Sequence, residues 1–112
     1  MSTADKPVYL VVAMNVDDLD DFIQRYAVDV VGQLHRLGAE LLAAGTPDAL
    51  EGNPGWNRAV VIRFPSRQVA DDWYRSAEYA PFKRLRLETL ATDGMAMFIE
   101  TFDPGALGQP AG

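Results

Sequence analysis

Cysteine is absent from the chain, which excludes disulfides, thiolate metal sites, iron–sulfur clusters and cysteine nucleophiles. A single histidine, His35, excludes clustered-imidazole zinc sites and makes a charge-relay triad a poor expectation. No apolar stretch approaches the about 20 residues that a membrane-spanning helix needs. No apolar signal core precedes the first structured run either, where Asp5 and Lys6 stand instead. Basic residues are in short supply: ten Lys and Arg against sixteen Asp and Glu leave a net charge of -6, with no general attraction for nucleic acid or an anionic membrane. The expectation is a cytoplasmic protein that takes no metal or cofactor and has neither nucleic acid nor membrane as partner.

The chain does have enough apolar substance for a core, since 48% of its 112 residues are hydrophobic. That length suits one domain, but a fold this small leaves much of its surface exposed and gains stability by pairing with a copy of itself. Charge is unevenly spread: residues 1–57 hold nine acids and three bases, whereas residues 58–112 hold seven of each. The contrast marks faces of one unit rather than two domains.

Pro7 to Met14 is a short apolar run of strand-formers that ends at Asn15-Val16-Asp17, a turn into a helix cap. From Leu19 the apolar positions Phe22, Ile23, Tyr26, Ala27, Val30 and Leu34 follow helical spacing. Asp17 or Asp18 can cap that helix, and Gly38 can stop it in the left-handed conformation. Ala39–Gly45 reads as a second strand, with continued helix as the competing reading. Pro47, Gly52, Pro54 and Gly55 exclude a regular element from the next loop. Ala59–Phe64 is the third strand, and Ser66, after Pro65, caps a short helix that carries Val69, Ala70 and Trp73 on one face. Ser76–Glu88 is helical or partly 3₁₀, and Gly94 releases the chain into a fourth strand, Met95–Thr101.

The order β-α-β-β-α-β predicts an α+β, ferredoxin-like subunit: a four-stranded antiparallel sheet with both helices on one face. The bare face would expose Tyr9 or Leu10, Val61 or Ile62, and Phe98 or Ile99. Packing two such faces together as a homodimer would cover them.

Leu50-Glu51-Gly52, Arg63-Phe64-Pro65-Ser66, Trp73-Tyr74, Ser76-Ala77-Glu78-Tyr79 and Arg84-Leu85-Arg86 occur in that order. The conjunction resembles the DUF1330 family of the dimeric α/β-barrel superfamily over roughly Tyr9 to Thr101. The resemblance implies a subunit that dimerises through its sheets, with a cavity between sheet and helices, and carries no settled activity. One such domain is expected at 7–102, with a flexible N-terminus at 1–6 and a flexible tail at 103–112, whose sequence DPGALGQPAG has little reason to pack. The chain departs from the family pattern at Ala39 in place of a second glycine, at Arg63 in place of an acidic residue, and at Thr101 in place of a glycine.

Glu51, on a glycine-flanked loop, is a candidate catalytic base if desolvated, or else a carboxylate that holds the loop. Arg86 is its complement, a guanidinium able to grip a carboxylate or enolate oxygen, or else a partner in a structural ion pair. Tyr26, Trp56, Trp73, Tyr74 and Tyr79 could line an apolar cavity and offer hydrogen bonds to a planar ligand, or serve as packing. Ser66 joins the ligand-binding candidates, although helix capping accounts for its hydroxyl and the absent G-x-S-x-G pattern argues against a nucleophile. The Asp17 to Asp21 acids fit helix capping better than calcium, and His35 falls off the apolar stripe. Three functions remain open: a homodimer binding a small apolar or aromatic acid, a cofactor-independent enzyme using Glu51 and Arg86, and a structural or regulatory homodimer.

Overall fold

The computed structural model describes residues 6–107. Its first strand, β1 (Val8–Val16), is the hub of the sheet, pairing antiparallel with β3 (Arg58–Phe64) on one side and β4 (Ala91–Glu100) on the other. The short edge strand β2 (Glu40–Gly45) joins β3, so the order is β2-β3-β1-β4. A strand with neighbours on both sides has its backbone groups satisfied along its length, and apolar Val8, Leu10, Val12 and Met14 are buried on its helix-facing side. Asn57 extends the pairing by one step: its amide side chain accepts from the Val16 N–H at 2.8 Å and donates to the Val16 carbonyl at 2.9 Å.

The first helix runs over residues 19–36. The Asp18 carboxylate accepts from the Asp21 amide at 3.1 Å, satisfying one of the free donors at its start. Between Leu19–Phe22 and Val28–Arg36 lies a single π turn, Ile23–Ala27, in which the Val28 amide donates to the Ile23 carbonyl. Gly38, at φ 76°, turns the chain out of the helix, and the Ala39 amide donates back to the Leu34 carbonyl at 3.0 Å. The stretch after Gly38 is strand, as its sequence predicts, beginning at Glu40.

The second helix, Arg67–Tyr74, starts at Ser66, whose hydroxyl accepts from the Val69 amide at 3.1 Å. Ser76 then stitches the second helix to the next segment, donating to the Trp73 carbonyl at 2.7 Å and accepting from the Tyr79 amide at 3.1 Å. The third helix covers residues 80–90: Ala80–Leu85 is α-helical and Arg86–Leu90 forms a second π turn, closed by the Ala91 amide on the Arg86 carbonyl. Helical structure therefore extends two residues beyond the expected Glu88.

β4 corrects the expectation of a strand starting at Met95. It begins at Ala91, and Gly94 lies inside it rather than before it. Ala13 faces Met95 while Asn15 faces Thr92, so β4 carries one more residue than β1 across this step. The surplus forms a bulge with Asp93 in the left-handed region at φ 53°. Glycine belongs beside it because a Cβ there would sit 3.0 Å from both the Ala13 carbonyl oxygen and the Met14 Cβ.

Register also decides which of the alternative apolar residues face out. Leu10 pairs with Ile62 and Phe98 on the helix side, whereas Tyr9, Val11, Val61, Met97 and Ile99 share the opposite face. No helix among the described residues covers that face, and Met97 and Ile99 remain about half exposed there, at 46% and 48%. Arg63, one of the departures from the family pattern, pairs with Glu40 across β3 and β2 at 3.2 Å. Thr101, another, donates through Oγ1 to the Pro7 carbonyl at 2.8 Å. The expected flexible ends fall mostly outside the described residues, and Pro104–Leu107 forms a 3₁₀ turn. No helix among the described residues is long and apolar enough to cross a membrane.

The close approach at Gly94 predicts that Gly94→Val destabilises the fold by about 1–3 kcal/mol through overpacking. Urea unfolding followed by tryptophan fluorescence checks this, with Gly94→Ala falling between the valine variant and wild type. An unchanged midpoint for valine would remove the close approach as the reason for glycine.

Candidate functional site

A cavity of about 80 Å³, partly open to solvent, lies between the sheet and the first helix. Its floor is the helix-side face of the sheet, Leu10, Val12 and Met14 of β1 with Val60 and Ile62 of β3, and Phe22, Val30 and Leu34 of the first helix roof it. Trp73, Tyr74 and Tyr79 form a wall. The Trp73 and Tyr79 rings lie 4.0 Å apart between centroids, and Trp73 also packs on Phe64 at 5.5 Å, so this wall is anchored to the sheet. Gln33, buried on the first helix, accepts from the Trp73 indole N–H at 2.9 Å and donates to the Glu78 carbonyl at 3.2 Å, fixing the wall to the roof.

The polar end of the cavity is made by Tyr26, Tyr79 and Arg86. The two tyrosine oxygens are 2.5 Å apart and hydrogen-bonded to each other. Arg86 is only 4% exposed and its Nε has no hydrogen-bond partner among the described residues. Burial holds the Tyr26 phenol protonated far above the ordinary tyrosine range, reinforced by Tyr79 and opposed by Arg86. Burial works against the charge of Arg86, but the facing Tyr79 and Tyr26 oxygens more than offset it and raise its pKa. At neutral pH the site is therefore a fixed cation flanked by protonated Tyr26.

Both π turns bear on this arrangement. Tyr26 lies inside the first and Arg86 opens the second. Each turn inserts one residue relative to a continuous α-helix and rotates the downstream residues by about 100°, which re-aims side chains at the cost of poorer hydrogen-bond geometry. Two such turns in separate helices supply the two side chains that meet at the cavity's polar end.

Of the residues singled out in the sequence, Tyr26, Trp73, Tyr74, Tyr79 and Arg86 come together around this cavity. Glu51 does not join them. It is exposed on the loop between β2 and β3, at a separate recess that it shares with Pro47, Asn53, Pro54 and Trp56, and the two cavities have no lining residue in common. The glycine-flanked loop leaves the carboxylate in water, so the structure supplies neither desolvation to make it a base nor contact with Arg86. Trp56 stands on the same loop, its indole N–H donating to the Asp93 carbonyl at 2.6 Å and tying the loop to the bulge of β4. Ser66 caps the second helix and lies outside the cavity lining.

Two further residues of the site carry signals in the sequence. Gln33 falls on the helix face of Tyr26 and Val30, three positions beyond the latter, and a polar side chain within an apolar stripe signals a buried hydrogen bond. Arg58 alternates with Val60, Ile62 and Phe64, which puts it on the inner face of β3. It lines the cavity, and its Nε is buried without a partner among the described residues. Neither residue stands out in the chain before its neighbours across the fold are known. Among the described residues the lining contains two arginines, Arg58 and Arg86, and no carboxylate or imidazole. Neither arginine enters an ion pair among the described residues.

No curated protein matches the sequence. Among solved structures, a protein of unknown function from Rhodopseudomonas palustris superposes with a TM-score of 0.70 at 16% identity, covering 89% of this chain and 85% of its own. A dabb family protein with a ferredoxin-like fold from Mesorhizobium loti gives 0.61 at 10% identity, covering 88% and 99%. A dimeric protein of unknown function with a ferredoxin-like fold from Bacteroides fragilis gives 0.52 at 14% identity, covering 85% and 96%. These likenesses show a shared ferredoxin-like fold. The family model for the domain of unknown function DUF1330 matches residues 7–101, nearly the whole described chain, and the protein belongs to that family.

Proposed function

We propose that the protein is a homodimeric binding protein for a small apolar or aromatic carboxylic acid, whose carboxylate is held by Arg86 and the Tyr26 hydroxyl. The observation that carries this reading is a buried guanidinium at the end of an apolar, partly open cavity that contains no carboxylate. A charge taken out of water without a counterion costs several kcal/mol, and an acid ligand supplies the counterion. The guanidinium fork and a neighbouring phenol match the acceptor geometry of a carboxylate. The apolar floor and the Trp73 wall accept the hydrocarbon part. At about 80 Å³ this partly open cavity is smaller than the roughly 150 Å³ of a cavity that encloses benzene, so the carboxylate and first carbons enter while the remainder occupies the open side. The lining offers no carboxylate or imidazole to exchange a proton, which favours binding over turnover by this chain's own side chains.

Dimerisation through the uncovered sheet face is the second part of the proposal. It is supported by the contiguous apolar set Tyr9, Val11, Val61, Met97 and Ile99, by the general cost of leaving such a patch in water, and by the dimeric state of the Bacteroides neighbour.

Benzoate binding, titrated by calorimetry and by the fluorescence of Trp73 at the wall, is expected to weaken at least 30-fold in Arg86→Met, corresponding to the about 2–5 kcal/mol lost when one partner of a buried charge pair is removed. Binding unaffected by that substitution would sink the site. Light scattering at micromolar concentration should give twice the 12.3 kDa of one chain, and Met97→Glu with Ile99→Glu should return the single-chain mass. A single-chain mass for wild type would refute the dimer.

The raised Tyr26 pKa makes an alkaline prediction. In the unfolded chain Tyr26 ionises near pH 10, whereas the folded protein keeps that proton, so the unfolded state binds fewer protons above about pH 10 and stability falls as pH rises. Tyr26→Phe removes this contribution, and its urea midpoint should drop less than that of wild type between about pH 9 and 11. Identical slopes would contradict a phenol held protonated by the fold.

A further inference from the structure

Arg58 is the first residue of β3, facing Met14 of β1 at the end of the sheet where the first helix begins. Period-two alternation puts its side chain on the same inner face as Val60 and Ile62. A long arginine in such a place commonly lays its apolar stem against the core and carries the charged head out to water. Arg58 does more than that, because its Nε, part of the charged group itself, is buried and unpartnered among the described residues. The Nε of Arg86 is in the same condition, and the same cavity receives both side chains.

The surroundings make the pair informative. The protein as a whole carries a net charge of -6, yet the cavity gathers two guanidiniums with no acidic side chain in its lining. Of the six other arginines, four pair with acids among the described residues, Arg25 with Asp21, Arg36 with Glu78, Arg63 with Glu40 and Arg67 with Asp71, whereas Arg75 and Arg84 do not and line no cavity with a second arginine. Arg58 as a whole is half-buried, but one monocarboxylate at Arg86 would still leave the buried Arg58 Nε–H without an acceptor. Two negative charges would neutralise the cavity.

We propose that Arg58 is a second anchor of the acid site and that the ligand class is a small dicarboxylic acid, one carboxylate at Arg86 with the tyrosines and the other at Arg58. This rests on the acid-binding reading above and adds specificity to it. Arg58 acts as a specificity residue: it contributes to the second carboxylate and is not needed for the first.

The test compares matched monoacids and diacids that sample different spacings: butanoate with succinate, pentanoate with glutarate, and benzoate with phthalate, titrated by calorimetry against wild type, Arg58→Met, Arg58→Gln and Arg86→Met. In wild type at least one diacid should bind ten-fold or more tighter than its monoacid partner. Arg58→Met should bring that pair within two-fold of each other, the diacid losing several-fold more affinity than the monoacid. Arg58→Gln keeps a polar head without the charge and should behave alike, so it is read by the same criteria if the methionine variant does not fold. Monoacids that bind through Arg86 with no diacid advantage, or that lose affinity as much as diacids when Arg58 is replaced, overturn the second anchor and leave the acid site standing. Absence of binding by every acid overturns both.

Discussion

A four-stranded sheet covered by helices on one side only is the constraint on which the rest of this molecule depends. β1 at its centre must be apolar on the covered side, and Val8, Leu10, Val12 and Met14 meet that requirement. Helices laid across such a sheet touch it well along their own stripes and less well between them. The space left here is kept open by rings rather than filled by aliphatic side chains. Trp73 and Tyr79, their ring centroids 4.0 Å apart and bonded to the first helix through Gln33 and Tyr26 respectively, act as struts between helix layer and sheet. The uncovered side leaves the complementary problem of an apolar face in water, which is a property of the same one-sided architecture.

Within this frame the cavity joins two physically opposed environments. Most of its surface is aliphatic or aromatic, and its polar end holds a guanidinium among tyrosine hydroxyls. Phenols suit this position because they bring an oxygen to the cation without bringing a negative charge, which leaves the cation's field free to act on something else. A glutamate in place of Tyr26 or Tyr79 would close the site as an internal salt bridge. The exposed ion pairs of the surface, such as Arg36 with Glu78, lie in water, where their contribution to stability is small.

The departures from regular helix are concentrated at the polar end of the cavity. Ordinary α-helical turns serve the rest of both long helices, yet the turn containing Tyr26 and the turn beginning at Arg86 are π turns. Backbone that sacrifices hydrogen-bond geometry persists only where surrounding packing holds it, and here the packing includes the contact of Tyr26 on the first helix with Tyr79 at the start of the third. The β4 bulge is a comparable irregularity at the sheet edge, where the Asp93 carbonyl receives the Trp56 indole N–H and holds the β2–β3 loop.

The sequence by itself determined the elements and their order, because those depend on local physics: period-two and helical spacing of apolar residues, the Asp18 and Ser66 caps, and the Gly38 stop. It also carried the family through the ordered conjunction of short motifs, and it marked Arg86 and the aromatic residues of the eventual wall. Tertiary structure decided what depends on register and on insertions of one residue. Gly94 looked like a strand boundary and proved to lie in a bulge, since a strand's start is set by its partner, and Asn15 recruits Thr92. Glu51 and Arg86 are equally plausible partners along the chain, but one lies on an exposed loop and the other is buried on the inner side of the third helix. Arg58 and Gln33 acquire meaning only from the groups that face them. A side chain's chemistry is written in its identity, whereas its charge environment is a sum over neighbours distant in sequence, and folding alone brings those together.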